Sequence, residues 1–203
     1  MTDSFVLDRR RFLATLGAAG AVAAGLAVAG ERPAQAASVQ PNWGWCSLCS
    51  EIFYGGSPFQ GRGICPRQPG DGHARPSWNY SQVYNQGTTG GLPGTPGYQS
   101  GWRWCQYCYA LYWPGSNSNG DCPSAEGEHN PGGSYNYAMP VGLSGGSYQG
   151  GWNYCKACST LYHSNSGWGV DDGFCWVNYN RFGGKNTHTH GGSWPYVLIV
   201  NST

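Results

Sequence analysis

The chain has 203 residues, of which only 10% are charged, with 11 basic and 10 acidic side chains. A near-neutral balance excludes the basic face that nucleic-acid binding needs, and no basic amphipathic helix for a membrane surface is visible. All ten Trp and all fourteen Tyr lie beyond residue 36, while 34 Gly and 13 Pro punctuate the chain, so short strands joined by turns are expected and long helices are not.

The N-terminus reads as an address. Arg9, Arg10 and Arg11 precede Phe12 and Leu13, residues 13–29 are small and apolar, and Ala34-Gln35-Ala36 offers a small-x-small cleavage site. This is the pattern of a bacterial twin-arginine export signal over residues 1–36. The apolar stretch is too short and too rich in Gly and Ala for a membrane anchor. Residues 37–203 are then expected to form a single β domain that is secreted, with no membrane span left.

That region repeats one pattern three times: aromatic-x-aromatic-Cys-x-x-Cys-x-x-apolar-aromatic, a third Cys, a His, then Ser-x-x-Tyr. The first copy (about 43–84) carries Trp43, Trp45, Cys46, Cys49, Ile52, Phe53, Cys65, His73, Ser77 and Tyr80. The second (about 102–141) carries Trp102, Trp104, Cys105, Cys108, Leu111, Tyr112, Cys122, His129, Ser134 and Tyr137. The third (about 152–200) carries Trp152, Tyr154, Cys155, Cys158, Leu161, Tyr162, Cys175, then His188 or His190, Ser193 and Tyr196. His188 keeps the separations to Ser193 and Tyr196 that His129 has to Ser134 and Tyr137, which favours it as the fourth member. His163 reads as a strand-end residue.

Within each copy the spacing predicts a strand carrying the two aromatics, a tight knuckle, a return strand with the apolar-aromatic pair, a looser arm, and a last strand with Ser-x-x-Tyr. Residues 85–99 and 142–151 read as links between copies, 38–42 as a short tail, and 197–200 as a buried terminal strand. The fold class expected is all-β: three pseudo-repeats of short strands and zinc-ribbon-like knuckles, closed into one compact β-trefoil-like body.

Three Cys and one His make a full tetrahedral donor set. Nine cysteines, three per copy, cannot all pair within copies as disulfides. Export by the twin-arginine route suits folding in a reducing cytosol, where thiols persist. The knuckle supplies two thiolates and a second arm returns with two more donors, the zinc-ribbon logic. Up to three structural Zn2+ ions are therefore expected, on Cys46, Cys49, Cys65 and His73; Cys105, Cys108, Cys122 and His129; and Cys155, Cys158, Cys175 and His188. The competing readings are one disulfide per knuckle with a buried third Cys, and a Trp-Cys-x-x-Cys thiol oxidoreductase, for which the required following helix is missing.

The tandem W-x-W-C-x-x-C-x-x-L-[FY]…G-x-C-P…G-x-H…G-S-x-x-Y pattern resembles a module of secreted proteins from Gram-positive bacteria, actinobacteria especially. Copy two carries it most fully, with Gly120, Pro123, Gly127 and Gly133 beside the residues above. Copy three departs, with Trp176 after Cys175. The resemblance implies an extracellular accessory or interaction role and brings no catalytic residues.

An enzyme reading finds no constellation. Gly142-Leu143-Ser144-Gly145-Gly146 matches G-x-S-x-G but lies in a link, not on a strand-to-helix elbow. Asp171-Asp172 and Glu126/Glu128 read as solvated loop acids more readily than as a glycosidase pair. Two binding classes remain. The first is an adaptor or structural subunit docking on a secreted or cell-envelope protein, such as a multi-subunit toxin particle. The second is a lectin-like module that stacks cell-wall glycan on Trp78, Trp113, Trp168 or Trp176.

Overall fold

The computed structural model describes residues 38–56, 61–75, 79–85, 96–115, 118–164, 172–182, 186–192 and 194–201. The signal-like residues 1–36, Ser77, Trp78, Trp168, Asp171 and Ser193 lie outside the described residues. By its contacts the chain divides into Met1–Ala34 and Gln35–Thr203, and every described residue belongs to the second unit. Among the described residues no helix is long and apolar enough to cross a membrane.

The fold is all-β. Copy one forms β1 (Ser38–Trp45), β2 (Ile52–Tyr54) and β3 (Tyr80–Tyr84); copy two β4 (Gly97–Trp104), β5 (Leu111–Tyr112) and β6 (Tyr137–Val141); copy three β7 (Tyr148–Tyr154), β8 (Leu161–His163) and β9 (Tyr196–Val200). In every copy the first strand is the hub, pairing antiparallel with the return strand at one end and with the last strand at the other. The switch between partners is a bulge just before the first Trp. Asn42, Gly101 and Gly151 occupy it with positive φ. Segment 38–42 is therefore not a free tail: Ser38, Val39 and Gln40 pair with Tyr84, Val83 and Gln82. The expected links likewise end earlier than their composition suggests, because β4 starts at Gly97 and β7 at Tyr148. The G-x-S-x-G stretch joins strand β6 to strand β7, so the elbow its chemistry needs is not formed.

The three last strands close the body. The end of β3 pairs with the start of β6 (Val83↔Ala138, Tyr84↔Tyr137), the end of β6 with the start of β9 (Val141↔Tyr196), and the end of β9 with the start of β3 (Tyr80↔Val200, Ser81↔Ile199). This cycle curls the sheet into a nearly closed, barrel-like body with three equivalent sectors. One difference from expectation is α1 (Trp176–Phe182), a helix that replaces the turn after the third Cys in copy three.

Aromatics do the packing that scarce aliphatics cannot. Trp43, Trp102 and Trp152 are fully buried, each edge-on to the Tyr of a neighbouring copy's last strand: Tyr137, Tyr196 and Tyr80. Those Tyr hydroxyls donate to Gln40, Gln99 and Gln149, which sit three residues before each Trp. Each copy thus holds the next by one ring and one hydrogen bond. At the centre the equivalent positions Gln82, Met139 and Leu198 are wholly buried. Neither polar atom of the Gln82 amide has a partner among the described residues.

An unsatisfied buried amide costs about 1–3 kcal/mol, and copy two already places Met at this position. Gln82→Met is therefore expected to raise the unfolding free energy by about 1–3 kcal/mol in urea titrations of the metal-loaded protein.

Candidate metal centre

Each knuckle is built the same way. The amide after the second Cys bonds back to the carbonyl of the first: Ser50 to Cys46, Tyr109 to Cys105, Ser159 to Cys155, at 2.8, 2.9 and 2.8 Å. That closure puts Ser50, Tyr109 and Ser159 at φ near +65°, an uncommon conformation for non-glycine residues. Both knuckle sulfurs thereby face one side. The apolar-aromatic pair that follows splits across the strand. Ile52, Leu111 and Leu161 enter the central core. Phe53, Tyr112 and Tyr162 turn outward and stack on His73, His129 and His188, with ring centroids 4.6, 4.5 and 4.4 Å apart.

The structure brings together Cys46, Cys49, Cys65 and His73; Cys105, Cys108, Cys122 and His129; and Cys155, Cys158, Cys175 and His188. Within each set the donor atoms all lie within 4.8 Å of one another, and all twelve residues are buried. His190 instead approaches Asn153 Oδ1 through Nε2 at 2.9 Å and stays out of the third cluster. His163 sits half-buried against Trp45 and Trp152.

None of the nine cysteines is paired, and the donor distances match a tetrahedral metal site. The first and third cysteines of the clusters stand 3.8, 3.9 and 3.9 Å apart, sulfur to sulfur. A disulfide would need about 2.05 Å. A tetrahedron with metal–sulfur bonds of about 2.3 Å has sulfur–sulfur edges of about 3.8 Å, and with metal–nitrogen bonds of about 2.0–2.1 Å its sulfur–nitrogen edges are about 3.5 Å. The second cysteine lies 3.4, 3.4 and 3.5 Å from the Nδ1 of its histidine. The three donor sets therefore fit a tetrahedral metal ion bound through histidine Nδ1.

The electrostatics show what such an ion would replace. With protons as the only cations, hydrogen bonds from the neighbouring thiols pull Cys46 and Cys105 far below the ordinary thiol value; Cys155 is also lowered, against its burial. Burial, then the neighbouring thiolate, pushes Cys49, Cys108 and Cys158 well above it. Burial alone would lower the histidines, but bonds to the cysteine sulfurs and nearby negative charge override it, so His73 and His129 are pushed up to about 10 and His188 also rises. These opposed shifts are what crowded donors produce around a position that a divalent ion would fill.

The remaining histidine nitrogen reaches across the copy boundary. His73 Nε2 bonds the carbonyl of Cys108 at 2.9 Å, His129 Nε2 that of Cys158 at 3.0 Å, and His188 Nε2 that of Cys49 at 2.9 Å. Nε2–H as donor fixes the tautomer that leaves Nδ1 free for the metal. Sequence reasoning gave no role to the residues that permit this approach, although Gly120 stands in the repeated motif. Gly63, Gly120 and Gly173, each two before the third Cys, have φ of +62°, +75° and +70°. A Cβ on Gly63 or Gly173 would sit 2.2 Å from the carbonyl oxygen of Cys108 or Cys49, and one on Gly120 2.4 Å from Ser159 Oγ. Their signal was present as Gly-x-Cys in all three copies. Glu51 was also missed. It is buried, accepts from Thr160 Oγ1 at 3.0 Å and lies 3.6 Å from Cys49 Sγ.

Of the other residues singled out, Glu126 and Glu128 are exposed on the arm of copy two. Asp172 is buried, and its carbonyl accepts from the His188 amide at 3.4 Å. Trp113 packs edge-on to Tyr154, and Trp176 is half-buried beside the first cluster.

Gly63→Ala and Gly173→Ala are expected to destabilise the protein by about 3 kcal/mol or more, since strain adds to a backbone clash. Gly127→Ala, with φ +79° but open space around it, should cost only about 1–2 kcal/mol in the same denaturant titration. Metal binding at neutral pH must expel the imidazolium and thiol protons, so affinity falls as pH falls. With more than one proton displaced per site, chelator competition should show apparent affinity dropping by more than about tenfold per pH unit between roughly pH 8 and 6. No family model matches this chain, and no curated protein or solved structure matches it either.

Proposed function

We propose that the chain is an exported, non-catalytic interaction protein held together by three structural zinc ions, and that it docks as an adaptor or structural subunit on a secreted or cell-envelope protein. The observation that carries this reading is the closure of the donor sets. Each offers four buried protein donors, whereas a catalytic zinc keeps a position for water or substrate. Thiolate-rich tetrahedral sites select zinc among the common divalent ions.

Other features support the parts of this reading. The knuckles join antiparallel strands, and their cysteines are at most 3% exposed, poor conditions for thiol exchange with a substrate. The export signal over residues 1–36 and the resemblance to secreted actinobacterial modules support an extracellular setting. Val39 and Tyr135 are large apolar side chains left about half exposed, and Tyr135 stacks on Tyr84 at 4.4 Å. Tyr135, just before β6, offers a partner an exposed aromatic ring.

One observation favours the glycan reading as second choice. Helix α1 and the arm of copy two border an open cleft of about 180 Å³ lined in part by Trp176, Asp121, Ser124 and Asn180. An aromatic ring beside acid, hydroxyl and amide groups is chemistry that suits a sugar ring.

Elemental analysis and thiol titration of the exported protein should give about three zinc and nine thiols per chain. Structural zinc contributes about 10–16 kcal/mol of apparent binding energy in small zinc peptides, so a strong chelator should unfold the protein. Absence of metal would overturn the zinc scaffold. Capture from culture supernatant should return a stoichiometric protein partner, and Tyr135→Ala should weaken that capture. Retention on cell-wall polysaccharide that Trp176→Ala abolishes would instead establish the glycan reading.

A further inference from the structure

We propose that the three metal sites form one cooperative unit, in which each ion is held partly by the ion in the neighbouring copy. The inference rests on the zinc reading above. Its basis is the closed ring of His73 to Cys108, His129 to Cys158 and His188 to Cys49, in which a ligand of one site donates to the backbone of a ligand of the next. Because the ring closes, no site is terminal.

The coupling is physical at each link. A metal ion on Nδ1 fixes the ring and its tautomer, so the Nε2–H stays aimed at the neighbouring carbonyl. That bond holds the carbonyl of the receiving knuckle, and so orients the cysteine whose sulfur ligates the next ion. Outer partners of this kind alter metal affinity by about 10–100-fold. Further contacts run in the same cyclic sense. Tyr54 N bonds Tyr109 O, Trp113 N bonds Ser159 O, and His163 N bonds Ser50 O, each at 2.9 Å. These clamp the residue after each knuckle to the return strand of another copy. Gly63, Gly120 and Gly173 lay each third-cysteine arm against the same foreign knuckle.

Losing one ion therefore loosens a histidine, then the neighbouring knuckle, then the neighbouring ion. Sites 1 and 3 carry an extra link through Cys49, Glu51, Thr160 and Cys158, with Thr160 Oγ1 3.1 Å from Cys158 Sγ. Copy two has Ala110 at the position of Glu51 and Thr160, which cannot form such a bridge.

The test is native mass spectrometry of the zinc-loaded exported protein during stepwise addition of a chelator. Coupled sites give mainly three-zinc and zero-zinc species, with one- and two-zinc species together below about a tenth at half removal. Independent equivalent sites would put about three quarters of the protein in those partly loaded forms, and that distribution overturns the proposal. Absence of bound zinc would overturn the zinc reading and this inference with it, an outcome visible before any chelator is added. His129→Cys separates coupling from ligation. It keeps four donors in site 2 but removes the Nε2–H that reaches Cys158. The variant should still load three zinc, yet accumulate partly loaded species several-fold above wild type. An unchanged all-or-none profile in this variant would show that the ring is not the link. If the variant does not fold, the wild-type distribution alone decides.

Discussion

A Cys-x-x-Cys knuckle supplies two of four donors, and everything else in this fold depends on where the other two come from. The second arm must bring a third Cys and a His back over the knuckle of its own copy. In doing so it lies against the knuckle of another copy, at the carbonyls of Cys49, Cys108 and Cys158. The histidine has two ring nitrogens, and the structure uses both, one toward its own cluster and one toward the neighbour's backbone. Local metal chemistry and the assembly of three copies are thereby set by the same side chain.

The second constraint is the shortage of aliphatic residues. A copy of this size cannot enclose its own aromatic faces, so each lends them to a neighbour. The last strands pair end to start in a closed cycle, which leaves none of the three with an unpaired inner end. Within that ring Trp43, Trp102 and Trp152 meet the tyrosines of other copies edge-on, and the three glutamines satisfy the tyrosine hydroxyls. The core is therefore ordered by directional contacts rather than by volume filling alone.

Departures from threefold repetition are few, and each sits at a chemically distinct place. Gln82 brings an amide to a position where Met139 and Leu198 are apolar. Glu51 and Thr160 add a polar bridge between the first and third clusters. Helix α1 follows Cys175, and Asn178 on it donates to the Thr187 carbonyl and the Thr189 hydroxyl, bracketing His188. The longer arm of copy three is thus fastened by side chains where the other copies use a tight turn.

The repeat, its strands and the donors of each cluster were legible in the sequence, because they depend on short spacings: two residues inside a knuckle, alternate aromatics along a strand, a return arm of similar length in each copy. The choice of His188 over His190 also came from spacing. What the sequence could not determine is how the copies meet. Composition read residues 38–42 as a tail, and only pairing with β3 makes them strand. The glycines two before each third Cys belong to the repeated motif, but their role comes from the neighbouring knuckle, whose carbonyl oxygen lies 2.2 Å from a would-be Cβ on Gly63 and Gly173. The destination of each Nε2–H lay equally out of reach. His188 and Cys49 are 139 residues apart, and no local pattern encodes a contact across that distance. Spacing along the chain specifies what one copy can build, while burial of the faces it cannot cover specifies which copy must lie beside it.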